Sequence, residues 1–235
     1  IWGTDWNPPR EVFNAGAFIF GTVVTSLAAL ALATVVGVLV AIYLVEYGTG
    51  RLSTFVTFFV DVMTGVPSIV AGLFIYTFWV LTFGFERSGF AASLALTILM
   101  IPVIVRSTEE MLKIVPNDLR EASYALGVPK WKTILRIVIP TAFGGIVTGI
   151  MLSIARVAGE TAPLLLTTFL SQSMNENLFS GPQASIPTFV WDQISSGTPA
   201  SIDRAWAGAL VLILVVVLFY GLARLVAKLT APATE

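Results

Sequence analysis

The 235-residue sequence contains neither cysteine nor histidine, and only 11% of its residues are charged. The lack of these two residue types excludes disulfides, thiol catalysis and the usual zinc or haem ligands. A net charge of −1 offers no basic footprint for nucleic acid. Soluble domains carry about 25% charged residues, so this composition favours a membrane protein.

Long apolar runs make up most of the sequence, which is 56% hydrophobic with a mean hydropathy of +0.88. We predict an all-α, polytopic integral membrane protein, because each run is long enough to cross a bilayer as a helix. None of the runs has the short apolar core and small-residue cleavage site of a signal peptide. Since the chain begins with Ile1, we expect a segment upstream of it. The five predicted spans lie near 14–45, 54–83, 89–105, 141–170 and 206–228.

Basic residues near span ends indicate the orientation, because lysine and arginine accumulate on the cytoplasmic side. The polar loop 106–139 is placed inside on this rule. The tail 1–13 and the segment 171–205 then face outward, and the tail 230–235 faces the cytoplasm. A short interfacial helix is predicted for 186–194. The loop 106–139 carries Arg106, Lys113, Arg120, Lys130, Lys132 and Arg136.

Tryptophan positions fit the same orientation. Indole rings settle at membrane–water interfaces, and we expect four of them near the outer one. They are Trp2, Trp6, Trp191 and Trp206.

The cytoplasmic loop predicts two short helices joined at Gly127. Asn117 or Asp118 is suited to cap the first helix, and Gly127 to end it in the left-handed conformation. Pro129 is suited to the first turn of the second helix. Each helix has an apolar face, which either binds a partner or packs beneath the chain's own bundle. These faces comprise Leu119, Ala122, Ala125 and Leu126, then Trp131, Ile134 and Leu135.

The loop also carries a spaced motif. Glu121-Ala122-Ser123 is followed after three residues by Gly127 and, after nine more, by I-V-I-P at 137–140. This pattern resembles the EAA loop of ABC importer permeases, with serine for the third Ala and Ile139 for leucine. The resemblance implies a coupling helix that docks on a cytoplasmic ATPase. The implied coupling residues are Glu121, Ala122, Ser123, Gly127, Lys130 and Trp131.

A nucleotide site of the P-loop type is not encoded in this loop. The stretch G-V-P-K-W-K-T, residues 127–133, lacks the second glycine of the P-loop pattern. We therefore expect a non-catalytic permease with no cofactor of its own. ATP and Mg would be bound by a partner ATPase.

Two charged residues, Arg156 and Glu160, lie near the middle of the apolar run 141–170. An arginine there costs about 2.5–3.5 kcal/mol on insertion scales. In one continuous helix the two residues would lie a turn apart and could pair. The pair could be structural, or it could belong to a path for an oxyanion, which the guanidinium fork binds well. Ser153, on the same face, would line that path.

A second break in an apolar run is suggested by Gly65-Val66-Pro67. Proline removes a backbone donor and kinks or breaks a helix. The kink could serve packing alone, or a broken helix could line the path with Pro67 and Ser68. Asp61 could act at a gate or simply face the interface, and Glu109 and Glu110 are predicted to be solvated loop charges.

Three stretches carry a further resemblance, covering about residues 35–228. A-R-V-A-G-E-T-A-P-L-L at 155–165, G-V-P-S-I-V at 65–70 and R-S-T-E-E-M-L at 106–112 are similar to PstA-type permeases of the high-affinity phosphate ABC importer. The opening W-G-T-D-W-N-P-P looks more like PstC, the partner permease. The resemblance implies six spans, one of them before Ile1, and a transport-critical pair at Arg156 and Glu160.

That family implies an assembly in the cell membrane. Its expected partners are a PstC-like second permease, two PstB-like ATPase subunits and a PstS-like extracytoplasmic phosphate-binding protein, with a multi-pass chain in the inner or plasma membrane. Two other functions are open: an importer of sulfate, molybdate or another anion, and an ion-coupled anion carrier. A membrane scaffold is disfavoured, because it would not need costly buried charges.

Overall fold

The computed structural model describes residues 6–7, 12–13 and 15–230. Most of the predicted outer tail 1–13, including Trp2, lies outside the described residues, as does 231–235. Two short strands, β1 (Trp6–Asn7) and β2 (Val12–Phe13), pair antiparallel, with Trp6 opposite Phe13.

Helices make up most of the rest of the described chain. The ten helices found in 15–230 are α1 (Gly16–Ile42), α2 (Gly50–Thr64), α3 (Ser68–Ile75), α4 (Gly89–Ile114), α5 (Asn117–Ala125), α6 (Lys130–Thr133), α7 (Ile139–Val157), α8 (Ala162–Thr167), α9 (Ile186–Ser196) and α10 (Pro199–Thr230). Three π-helical turns in this range adjoin them: Tyr43–Tyr47 extends α1, Tyr76–Thr82 extends α3, and Ile134–Val138 joins α6 to α7.

Within the described residues, four helical stretches are long and apolar enough to span a membrane, and a bent pair could form a fifth. The fifth consists of α2 and α3, between which the chain bends by 108°. The predicted all-α membrane fold with about five spans is thus confirmed. The four unbroken spans are Gly16–Tyr47, Gly89–Ile114, Lys130–Val157 and Pro199–Leu222.

The predicted span 141–170 is wrong as one helix. α7 ends at Val157, and α8 begins only at Ala162. Pro163 accounts for the break, because its ring would clash with the carbonyl four residues earlier in a continuous helix. That carbonyl belongs to Gly159, which lies in the break.

Two other boundaries also differ from the prediction. α4 continues to Ile114, so the polar loop begins nine residues later than expected, and Arg106 is helical. α10 begins at Pro199, within the segment predicted as an outer loop up to 205. The short helix predicted for 186–194 is confirmed as α9.

α1 and α4 form the centre of the bundle, packed through small side chains. Ala29 and Ala33 of α1 are fully buried in one cluster with Leu96 and Met100 of α4. The Ser93 hydroxyl donates to the Thr25 carbonyl of the neighbouring helix (3.0 Å). Such close approach through small residues is typical of membrane helices, where packing and hydrogen bonds replace the hydrophobic effect.

The segment between α8 and α9 packs onto α1. Ala184 is fully buried, and its carbonyl oxygen would lie 1.9 Å from a Cβ added at Gly21. The Ile186 N–H donates to the Thr22 hydroxyl (2.8 Å), and the Thr168 hydroxyl donates to the Gln183 carbonyl (2.8 Å). This segment therefore fastens the end of α8 to the N-terminal part of α1.

Candidate functional site

Arg156 lies in the last turn of α7, and its side chain is exposed. A cation is favourable at a helix C-terminus, where the macrodipole is negative. Exposure of a guanidinium to lipid is costly within the hydrocarbon core of a bilayer. We therefore expect the guanidinium to face a water-filled cavity or another protein chain.

Glu160 lies in the break between α7 and α8 and is half-buried. Its backbone N–H donates to the Val157 carbonyl (3.0 Å), which closes a tight turn after the helix. The expected placement of Arg156 and Glu160 one turn apart on one helix is wrong, because the helix has already ended. Among the described residues no ion pair joins them.

The two helix breaks come together in the fold. α8, which follows Glu160, packs against α3, which follows Pro67. A Cβ added at Gly72 of α3 would lie 2.5 Å from the Pro163 Cα of α8. The fold thus places α8, which follows the break at 158–161, against α3, which follows the bend at Pro67.

Pro67 is exposed, and Ser68 is the half-buried first residue of α3. Pro67 itself is in an extended conformation (φ −60°, ψ 138°), and proline also disfavours helical geometry in the residue before it. The predicted broken helix is confirmed by the 108° bend. That Pro67 and Ser68 line a path stays a prediction.

Ser153 is fully buried in α7. Its hydroxyl donates to the Ile150 carbonyl of the same helix (2.6 Å). The hydroxyl is therefore satisfied within the helix, and its position in the isolated chain is one of packing. Its predicted place on the path is not supported by this geometry.

A charge network connects α2 to the C-terminal half of α4. Arg106 pairs with Asp61 of α2 and with Glu109 (2.7 Å), and Lys113 pairs with Glu109 (2.6 Å). Glu109 is buried, so its prediction as a solvated loop charge is wrong, whereas Glu110 is exposed. The spacing of Arg106, Glu109 and Lys113 could have revealed their pairing on a helix. No sequence signal linked Asp61 to Arg106, which is 45 positions away.

The hairpin predicted for the cytoplasmic side has the expected two helices, α5 and α6, with Gly127 between them in the left-handed region (φ 74°). The buried Ser123 hydroxyl bonds to that of Thr133 (2.8 Å) and joins the two helices. The predicted side-chain cap is wrong. α5 begins directly at Asn117, whose side chain instead accepts a bond from Arg120 (3.3 Å).

The hairpin presents an apolar face outward. Leu126 is 83% exposed and Trp131 is 59% exposed. Glu121 and Ala122 are also exposed, whereas Ser123 is buried between the helices. Of the two alternatives, a partner surface fits these exposures better than packing beneath the bundle. The remaining large exposed apolar side chains of this region are Ile114, Leu119, Tyr124 and Leu135.

One buried ion pair at the base of the hairpin is not predicted by the sequence analysis. Arg120 of α5 bonds Glu46, at the end of α1 (2.9 Å). The residues are 74 positions apart, and the sequence carries no local pattern that would link them.

Comparison with known families is consistent with this arrangement of spans and hairpin. Residues 33–232 match the family described as binding-protein-dependent transport system inner membrane component. The chain belongs to this family. A permease of this family works with an ATPase and other subunits, and the chain is a multi-pass membrane protein.

Curated relatives agree with the sequence resemblance. The chain is 54% identical over 208 residues to the phosphate transport system permease protein PstA 1 of Mycobacterium tuberculosis strain H37Rv, covering 88% of this chain and 68% of that protein. It is 41% identical over 226 residues to PstA of Yersinia pestis, covering 95% and 76%. The resemblance to PstA-type permeases is thereby confirmed.

Solved structures share the fold at low sequence identity. An inward-facing crystal structure of the MetNI methionine ABC transporter has a TM-score of 0.77 at 17% identity, covering 97% of this chain and all of that one. A crystal structure of an amino acid ABC transporter with histidines has a TM-score of 0.66 at 17% identity, covering 90% and 91%. Both likenesses establish the permease fold.

Proposed function

We propose that the chain is a transmembrane permease subunit of an ATP-driven inorganic phosphate importer and forms half of its translocation path. The observation that carries the proposal is the exposed Arg156 beside a helix break, in a chain 54% identical to a phosphate permease. Phosphate is an oxyanion, and the planar guanidinium donates two parallel hydrogen bonds to such a group.

The path runs along the two interrupted spans. Broken helices suit a membrane site, because irregular backbone is tolerated where it lines a cavity. Phosphate meets Arg156 at the end of α7, with an equivalent arginine from the partner permease. Glu160, in the adjacent break, adds a negative charge that limits how tightly the anion is held. Pro67 and Ser68 line the opposite break.

The hairpin couples this path to ATP hydrolysis in a separate chain. Its exposed face, with Glu121, Ala122 and Trp131, docks on the ATPase, and Gly127 and Lys130 shape the turn and the second helix. Closure of the ATPase dimer moves the hairpin, and the spans open outward. On hydrolysis they open inward and release phosphate. This chain itself makes and breaks no bonds.

The proposed assembly contains a PstC-like second permease, two PstB-like ATPase subunits and a PstS-like extracytoplasmic binding protein. It lies in the inner or plasma membrane, with the hairpin and the C-terminus in the cytoplasm. Excess basic residues in and around the hairpin support that orientation. ATP and Mg belong to the ATPase subunits.

The test is uptake of labelled phosphate by the complete assembly in vesicles, with sulfate and molybdate as competitors. We expect uptake to depend on ATP and to be inhibited by unlabelled phosphate, but not by a tenfold excess of sulfate or molybdate. The reason is that the site distinguishes oxyanions by charge and hydrogen bonding. Stronger competition by sulfate or molybdate would assign another anion. Uptake without the ATPase subunits would indicate an ion-coupled carrier.

A further inference from the structure

Glu46 is a buried carboxylate at the cytoplasmic end of the first described span. It lies in the π-helical turn Tyr43–Tyr47 that extends α1, and its side chain is 5% exposed. A buried charge is costly unless it is paired and hydrogen-bonded. π-helical turns, moreover, frequently occur at functional sites. The proposed path does not involve this residue.

Arg120 supplies the partner charge from the first helix of the hairpin. Its Nη2 and Nε donate to Glu46 Oε1 at 2.9 and 3.2 Å. The same guanidinium donates to the carbonyls of Leu112 (2.9 Å) and Val115 (2.6 Å), at the end of α4. It thereby satisfies carbonyl groups that a helix end leaves without partners. One side chain of α5 thus holds the ends of both α1 and α4.

Lys130 makes a second attachment from the other helix of the hairpin. Its ammonium donates to the Glu46 backbone carbonyl and lies 4.8 Å from the centroid of the Tyr47 ring. Because the Ser123 and Thr133 hydroxyls join α5 to α6, the two attachments belong to one hairpin. Both helices of the hairpin therefore converge on Glu46.

We infer that Glu46, Arg120 and Lys130 form an anchor that makes the coupling hairpin and the base of α1 move as one body. Glu46 is a positioning residue for transport, and the inference rests on the proposed function. α4 and α7 are joined to the hairpin through the chain itself. Glu46 at the base of α1 precedes Arg120 by 74 residues, so contacts such as these must transmit the movement to α1.

The arrangement explains why the charge is retained at this position. A buried ion pair is weak evidence for stability, because apolar replacements are often as stable. Here the pair bridges three elements where the hairpin meets the spans, whereas Leu126 and Trp131 of the same hairpin are exposed. The hairpin consequently has side chains fixed to the spans and others available to a partner.

The first test measures ATP hydrolysed per phosphate imported by the full assembly in vesicles, in Glu46→Gln and Lys130→Met. We expect both variants to assemble and hydrolyse ATP. The number of ATP molecules hydrolysed per phosphate should rise about fivefold or more in Glu46→Gln and less in Lys130→Met, as expected for residues that carry coupling. Glu110→Gln, an exposed residue of α4, is the matched control and should leave the ratio unchanged. An unchanged ratio in both variants, with only assembly or melting temperature lowered, would make the anchor merely structural and overturn the inference.

The second test does not depend on phosphate transport. Because the sequence has no cysteine, spin labels can be placed at Leu39→Cys on α1 and Asp118→Cys on α5, and their separation measured without nucleotide and with ATP trapped. We expect one unchanged distance in both states, and a broadened distribution after Glu46→Gln. A distance that changes with nucleotide while Glu46 is intact would overturn the anchor. If the wild-type assembly does not take up phosphate but the label-to-label distance is the same in both nucleotide states, only the proposed substrate is contradicted.

Discussion

At the residue scale, three arginines differ in the groups that surround their guanidinium groups. Arg106 contacts two carboxylates, and Arg120 contacts one carboxylate and two backbone carbonyls. Arg156 is exposed, and among the described residues no acidic side chain pairs with it. Its donors are therefore the ones available to a transported anion. This contrast, which the sequence does not show, distinguishes Arg156 from the other two.

The buried Ser153 provides a residue-scale prediction. Ser153→Ala should leave phosphate uptake within about twofold of wild type, because the hydroxyl bonds only its own helix and such bonds contribute about 1 kcal/mol net. Ser153→Leu should impair assembly, because the site is fully buried and overpacking is destabilising. Uptake assays and yields of assembled complex give the two readings. A severe transport loss in the alanine variant, at normal assembly, would place Ser153 on the path.

At the element scale, the fold depends on contact between two interrupted spans. α3 and α8 each follow a break, and they meet where Gly72 lies against Pro163. Gly72 has to be glycine here because a side chain would overlap the backbone of α8. The contact brings the segments that carry Pro67 and Glu160 into one region.

Gly72→Val should therefore abolish or severely reduce uptake by forcing α3 and α8 apart. Overpacking of this kind costs typically 1–3 kcal/mol, and the added Cβ would meet backbone rather than a movable side chain. The control is Gly144→Val, because a Cβ at Gly144 of α7 meets nothing within 4 Å. Phosphate uptake normalised to the amount of assembled complex is the measurement. Equal uptake by both variants would show that the α3–α8 contact is dispensable.

The elements differ in how far the sequence could predict them. The hairpin could be predicted from local sequence. Pro116 and Pro129 precede the starts of its two helices, and Gly127 follows the end of the first. The span 141–170 is predicted as one helix because apolar residues dominate on both sides of Arg156 and Glu160, although Gly159 and Pro163 are a local signal for the break. The contacts of Glu46 and Asp61 could not be predicted, because they connect residues far apart in the sequence.

On the scale of the whole molecule, the hairpin's exposed apolar face contrasts with its anchored inner side. Leu126→Asp should weaken association with the ATPase subunits by about tenfold or more, since burying a leucine contributes about 1.5–3 kcal/mol. The permease should still fold, because Leu126 is 83% exposed. Ile194→Asp, an exposed residue of α9 on the predicted outer side, is the control. Co-purification of the ATPase with each variant is the measurement, and equal recovery would contradict docking at this face.

In the proposed function, Arg156 binds the transported anion. The most direct test of this claim compares phosphate uptake by vesicles containing the complete assembly, wild type against Arg156→Ala, with ATP hydrolysis followed in parallel and Arg51→Ala, another exposed arginine, as control. We expect uptake to fall about 10- to 100-fold, as for loss of charge-assisted hydrogen bonds, while the assembly still forms and hydrolyses ATP. Normal uptake by Arg156→Ala would contradict the claim and leave the substrate supported by family relationship alone.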